Sequence, residues 1–127
     1  AVYGACVLRQ PACAAVVAEA LGHFEGGRYG QCCWVVMPNH VHALFTLQSG
    51  HTLEEVLHSW KLFTARRINA LLGRTGALWQ RDYFDRMVRD AAHFARCVRY
   101  IRRNPARVKL REGEFVRWES ALAKEIE

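Results

Sequence analysis

Trp34-Val35-Val36-Met37-Pro38-Asn39-His40-Val41-His42-Ala43-Leu44-Phe45 is the stretch that decides the reading of this 127-residue chain. Val35 and Val36 precede a Pro38-Asn39 break, and Val41, Ala43, Leu44 and Phe45 follow it. The composition predicts two strands, about 29–37 and 41–47, joined by a tight turn. Side chains on a strand alternate between faces, so His40 and His42 share one face and Val41 belongs to the opposite layer. Two imidazoles on one sheet face are half of a metal site. Alone, an H-x-H pair on a strand is more often a pair of ordinary sheet histidines. What completes the site must come from elsewhere in the chain.

Outward from this hairpin, strands interleave with helices. Residues near 2–9 read as a strand. Pro11 suits a first helical turn, Val16, Val17, Ala20, Leu21 and Phe24 recur at helical spacing, and Gly26-Gly27 ends that helix. Thr52 with Glu55 is a capping-box signature opening a helix that ends near Gly73. Residues 78–88 read as a loop running into a short strand. Asp90 caps a helix over about 91–103, which Pro105 follows. Residues 106–127 read as a basic C-terminal tail, with Val108, Leu110, Phe115 and Trp118 as docking points. The expected fold is an α+β sandwich, one domain over residues 1–127, with an antiparallel sheet and helices on one face.

Composition narrows the class. With 51% hydrophobic and 24% charged residues, the chain has an ordinary globular balance. No apolar run reaches bilayer length, so no membrane partner is expected. The five cysteines (Cys6, Cys13, Cys32, Cys33, Cys97) are odd in number and lack C-x-x-C spacing, which argues against a disulfide framework or a cysteine zinc site. A cytoplasmic, nucleoid-associated protein with reduced thiols is the expectation. Charge is segregated: from Lys61 to Arg111 stand 14 cations against Asp82, Asp85 and Asp90, a net +11, while the other residues carry a net −5. Such a field suits a polyanion, and the dominance of arginine in this block favours bidentate contact with phosphate. The plainer alternative is a solvated face on a basic protein.

On a helical wheel, Phe94, Cys97, Val98 and Ile101 form an apolar stripe, while Arg96, Arg103 and Arg107 point away from it. Tyr100 and Asn104, four residues apart, share the border between the two faces. Taken singly, Tyr100 is a helix-edge aromatic and Asn104 a helix C-terminal residue before proline.

Four segments in order carry a resemblance. Val35-Val36-Met37-Pro38-Asn39-His40-Val41-His42 resembles the metal-binding signature of HUH single-tyrosine transposases. Ser59-Trp60-Lys61-Leu62-Phe63-Thr64-Ala65-Arg66-Arg67, Trp79-Gln80-Arg81-Asp82-Tyr83-Phe84-Asp85 and Tyr100-Ile101-Arg102-Arg103-Asn104-Pro105 resemble the REP-associated branch. The resemblance spans about residues 3–118. It implies a ferredoxin-like or RRM-like fold, with His40 and His42 as paired metal ligands, Asn104 as the third, and Tyr100 as nucleophile. It implies Mg²⁺ or Mn²⁺, and single-stranded DNA with a REP-like hairpin as partner. A monomer is expected, with Tyr100 and Asn104 acting in the same subunit as the histidines. Lys61, Arg66, Arg67, Arg81, Arg96 and Arg103 are the candidate DNA contacts. Relatives place another strand ahead of the position where this chain starts, so one sheet strand and some guide-sequence contacts are expected to be missing. Ala106-Arg107-Val108-Lys109-Leu110 departs from the family's small-residue pattern, which bears on docking of the tail.

The chemistry needs these residue types. A phenol in water keeps its proton until about pH 10, so a tyrosine that attacks a phosphodiester needs a base or a cation beside it. A divalent ion on two imidazoles and an amide would orient the phosphate and leave open coordination positions, Mn²⁺ being the better match to nitrogen. The attack would leave a 5′-phosphotyrosine and free a 3′-OH, conserving the bond energy for rejoining. Two other functions stay open: a non-catalytic single-strand-binding module of the same fold, and a zinc hydrolase on His40 and His42, for which no carboxylate base stands at motif spacing. His23, His51, His58 and His93 read as non-ligands. Trp79 and Tyr83, in the basic segment, are the aromatics placed to stack on unpaired bases.

Overall fold

The computed structural model describes residues 7–23, 29–79, 88 and 90–127. Its elements are a 3₁₀ turn at Val7–Arg9, helix α1 (Pro11–His23), strands β1 (Tyr29–Val36) and β2 (Val41–Leu47), helix α2 (Leu53–Leu72), helix α3 (Ala91–Arg107), strand β3 (Val116–Glu119) and a short helix α4 (Ala121–Lys124). The chain forms an α+β sandwich on a three-stranded sheet of order β2-β1-β3, antiparallel throughout.

The β1–β2 hairpin follows the sequence reading closely. Val36 pairs with Val41, Val35 with His42 and Trp34 with Ala43. The Met37 amide donates to the His40 carbonyl at 2.8 Å and closes the Pro38-Asn39 turn. The Leu8 amide donates to the Pro38 carbonyl at 3.1 Å, so the residues around Val7–Arg9 serve the hairpin turn and not a strand ladder. Residues 2–6 of the expected 2–9 strand, the Gly26-Gly27 helix stop and residues 80–87 of the expected loop and short strand over 78–88 lie outside the described residues.

β1 is the central strand and is covered on both sides. Trp34 and Val36 belong to a core with Val16, Val17, Leu21 and Ile68, against which Val41 and Ala43 pack. Cys33, Val35 and Met37 belong to a second core with Val98, Ile101 and Ala123. Helices therefore cover both faces, α1 and α2 on one and α3 and α4 on the other, where one covered face was expected. Cys32 through Met37 is an unbroken apolar run, the pattern of a strand buried on both sides. A bulge between Gln31 and Cys33 re-phases the strand. Before it Tyr29 points to the α1/α2 side, its hydroxyl donating to the Leu21 carbonyl and accepting from Trp60 Nε1 at 2.9 Å. After it the even-numbered Trp34 and Val36 take over that side.

The segment expected as a tail enters the fold. Val116, Arg117, Trp118 and Glu119 pair with Val36, Val35, Trp34 and Cys33, and the Ser120 amide donates to the Cys32 carbonyl at 2.8 Å.

The helix ends follow their caps. Thr52 Oγ1 accepts from the Glu55 amide at 3.1 Å, and Gly73, at φ 64°, closes α2 with its amide on the Asn69 carbonyl. Asp90 accepts from the His93 amide at 2.8 Å at the start of α3. α3 runs through Pro105 to Arg107, one turn beyond the expected end. Proline removes only its own amide from the ladder, and the turn beyond it still closes, with the Leu110 amide on the Pro105 carbonyl at 2.8 Å. No helix of the described residues is long and apolar enough to cross a membrane.

Candidate active site

The α3 face of the sheet gathers the residues singled out from sequence. His40 and His42 are parallel, 2° apart in plane with ring centroids 6.0 Å apart, as two positions on one strand face dictate. His42 pairs in register with Val35, whose side chain lies in the α3-side core, so the imidazoles and α3 share a face. Across that face Tyr100 meets His42 edge to face, 5.7 Å between centroids and 90° between planes. The histidine pair and the tyrosine, 58 residues apart in sequence, are thus neighbours within one chain.

The local electrostatics suit metal ligation. His40 Nδ1 lies 2.7 Å from Asn39 Oδ1; with the amide oxygen accepting, the ring proton sits on Nδ1 and Nε2 keeps its lone pair. Burial pushes the His42 imidazolium down to about 4 and lowers His40 as well, so both rings are neutral at pH 7. Asn104 stands one turn beyond Tyr100 on the same side of α3 and is only 6% exposed. Its Nδ2 is buried without a hydrogen-bond partner. An orphaned buried amide is costly unless something binds it, and rotation of the amide by 180° presents the oxygen in place of the nitrogen. Two neutral imidazoles offer nitrogen donors that fit a divalent ion, to which Asn104 would add an amide oxygen after that rotation. Among the described residues no group of three or more His, Cys, Asp or Glu side chains that could hold a metal is present.

Tyr100 is 49% exposed and lines, with Arg96, Arg99, Arg103 and Arg107, an open groove of about 360 Å³ on the outer side of α3. The Arg107 guanidinium lies over the phenol ring, 5.3 Å from its centroid. Arg96 and Arg103 were expected as DNA contacts; Arg99 and Arg107 were not, although their spacing from those two places all four on one side of α3. Lys61, Arg66 and Arg67 sit on α2, whose apolar residues pack on the opposite sheet face. Arg67 there is 3.8 Å from Glu19 and lies over Phe63. The structure does not bring these three cations to Tyr100, and Arg81 lies outside the described residues.

Arg102 has a different task. Its Nε and Nη2 donate to the two Glu119 carboxylate oxygens at 2.9 and 2.7 Å, and its Nη1 and Nη2 reach the Ile126 and Ala123 carbonyls at 2.7 and 3.0 Å. This one side chain clasps α3 to β3 and α4.

A family model described as "Transposase IS200 like" matches residues 30–104, more than half of the chain, from the start of β1 to Asn104. The matched span contains His40, His42, Tyr100 and Asn104 and leaves out β3 and α4. Neither the curated proteins nor the solved structures provide a match.

Proposed function

Because this chain belongs to the IS200-like transposase family, we propose that it is a metal-dependent endonuclease and strand transferase for single-stranded DNA, cutting beside a hairpin with Tyr100 as nucleophile. The observation that carries the proposal is the edge-to-face meeting of Tyr100 with His42 beside an arginine-lined groove on α3. A phenol beside two neutral imidazoles, on a helix whose outer side carries four guanidiniums, supplies what phosphodiester transesterification asks for: a nucleophile, ligands for a cation and anion-binding groups.

His40, His42 and Asn104 would hold Mg²⁺ or Mn²⁺, whose contribution is Lewis-acid polarisation of the non-bridging phosphate oxygens. The rest falls to the protein. Arg96, Arg99, Arg103 and Arg107 draw the DNA backbone to the side of α3 that carries Tyr100. The phenolic oxygen of Tyr100 attacks phosphorus in line with the 3′ oxygen and gives up its proton to water, which returns one to the leaving oxygen. The P–O3′ bond breaks, the departing 3′ oxygen takes up a proton, and the 5′-phosphate stays on Tyr100. Attack by another 3′-OH reverses the step and needs no nucleotide triphosphate.

The test uses a labelled hairpin oligonucleotide, incubated with Mn²⁺ or Mg²⁺ and resolved on a denaturing gel. A covalent protein–DNA adduct is expected, absent with chelator and absent from Tyr100→Phe. An adduct that persists in Tyr100→Phe refutes the nucleophile. Binding with no adduct under any metal favours the second reading, a binding module, which the extensive arginine surface would also serve.

A further inference from the structure

α3 carries five arginines, and they divide into two kinds. Arg102 is consumed by Glu119 and the carbonyls of α4. Arg96, Arg99, Arg103 and Arg107 line the groove beside Tyr100; Arg99 Nε also donates to the Glu127 main-chain oxygen at 3.3 Å, and among the described residues none of the four has an acidic side chain within ion-pair distance. At about 100° per residue these four fall within an arc of about 80°, with Tyr100 at its border. At about 1.5 Å rise per residue they are spaced about 4.5, 6 and 6 Å along the axis and together cover about 16 Å. One guanidinium per helical turn, in a straight row, is a linear array of anion sites and not a single-phosphate pocket.

From this spacing we infer that Arg96, Arg99, Arg103 and Arg107 form a phosphate track along α3. It holds consecutive phosphates of an unpaired DNA strand parallel to the helix axis and carries the scissile phosphate past Tyr100. This rests on the reading of single-stranded DNA as substrate and deepens it. The strand runs lengthwise along the outer side of the tyrosine helix, turned away from the sheet, and its backbone is read as a row of charges without regard to base. An unpaired strand suits such a row because its backbone can straighten. A guanidinium also binds two oxygens of one phosphate at once, which registers each nucleotide against its turn of helix.

Counterion release makes the track measurable. Each phosphate contact to a single strand contributes about 0.7 to the slope of log affinity against log salt, so four arginines account for about 2.8 and an affinity loss of about 50-fold between 50 and 200 mM salt. Binding of a hairpin oligonucleotide with an unpaired flank is followed by fluorescence anisotropy across salt, in the Tyr100→Phe background with chelator present, so that neither cleavage nor metal contributes. The double variant Arg96→Gln/Arg103→Gln is expected to lower the slope by about 1.4. Arg96→Lys/Arg103→Lys is expected to keep the slope while weakening binding at every salt, because lysine preserves charge but not the bidentate fork. Arg9→Gln, an exposed cation at the 3₁₀ turn beside the opposite core, is expected to leave the slope unchanged.

An unchanged slope in the glutamine pair overturns the track, as does an equal drop in Arg9→Gln or a lysine pair that loses as much slope as the glutamine pair. The adduct assay on the unsubstituted chain separates this inference from the nucleophile. An adduct with an unchanged slope removes the track and leaves Tyr100 in its role; a lowered slope without any adduct leaves the track and removes the nucleophile.

Discussion

Replacing Glu119 by glutamine is expected to destabilise the chain by an amount that depends on pH. In the native protein Glu119 takes two charge-assisted hydrogen bonds from Arg102, at 2.9 and 2.7 Å, with side-chain exposures of 25% for the arginine and 15% for the glutamate. Glutamine keeps one acceptor oxygen and loses the charge and the second acceptor. Hydrogen bonds to charged groups contribute about 1.5–3 kcal/mol, roughly twice a neutral one, and partial solvent screening trims the upper end. A loss of about 2 kcal/mol at pH 7 follows, which for a domain of this size lowers the melting temperature by about 6–10 °C. The Arg102 hydrogen bond holds the Glu119 carboxyl below its ordinary range. A lowered folded-state value means the contribution is complete above the unfolded carboxylate value of about 4.3 and is lost as pH falls through the folded value. Glutamine does not titrate, so thermal melts of the two proteins are expected to converge below about pH 4. A gap that stays constant from pH 7 to pH 3, or no gap at pH 7, refutes the clasp as described.

Further predictions concern the site and the scaffold. Asn104→Leu removes an unsatisfied buried amide, whose cost is about 1–3 kcal/mol, so its melting temperature is expected to match or exceed that of the unsubstituted chain while adduct formation disappears. A large destabilisation would make Asn104 a structural residue. His42→Ala is expected to weaken Mn²⁺ binding at least tenfold by calorimetry, since one of two imidazoles is gone; unchanged affinity would place the ion elsewhere. Thr52→Ala removes the N-cap of α2, with an expected cost of about 1 kcal/mol in denaturant melts and little effect on adduct yield, because α2 packs on the sheet face away from Tyr100.

Much of the scaffold was legible because local chemistry marks it. Thr52 with Glu55, Gly73, Asp90 and the Pro38-Asn39 turn each satisfy or redirect nearby backbone, and their signals act over a few residues. The shared face of His40 and His42 follows from strand alternation alone, and the border position of Tyr100 and Asn104 from the helical wheel. What was missed depends on distant partners. β3 is Val-Arg-Trp-Glu, an apolar/charged alternation only four residues long and too short to stand out, and it is fixed because β1 offers it a free edge. The two-sided cover of β1 was written in the run Cys32 to Met37, but it also required knowing that the apolar stripe of α3 falls on the other side from α1. Net charge counted Arg102 among the polyanion-facing cations when Glu119 holds it internally, and it counted α2 and α3 together though they lie on opposite faces. Charge totals carry no direction; only the placement of helices supplies it.

The clasp has a bearing on movement. Tyr100 and Arg102 are two residues apart and so point about 200° apart around α3. The helix presents its phenol outward while its back is bolted to β3 and α4 through four hydrogen bonds from one guanidinium. For α3 to swing the phenol from one position to another, that bolt must open and leave a charged pair without partners. In the proposed reaction the tyrosine would be the stator: between cleavage and rejoining, the travelling part of the machine would be the DNA end.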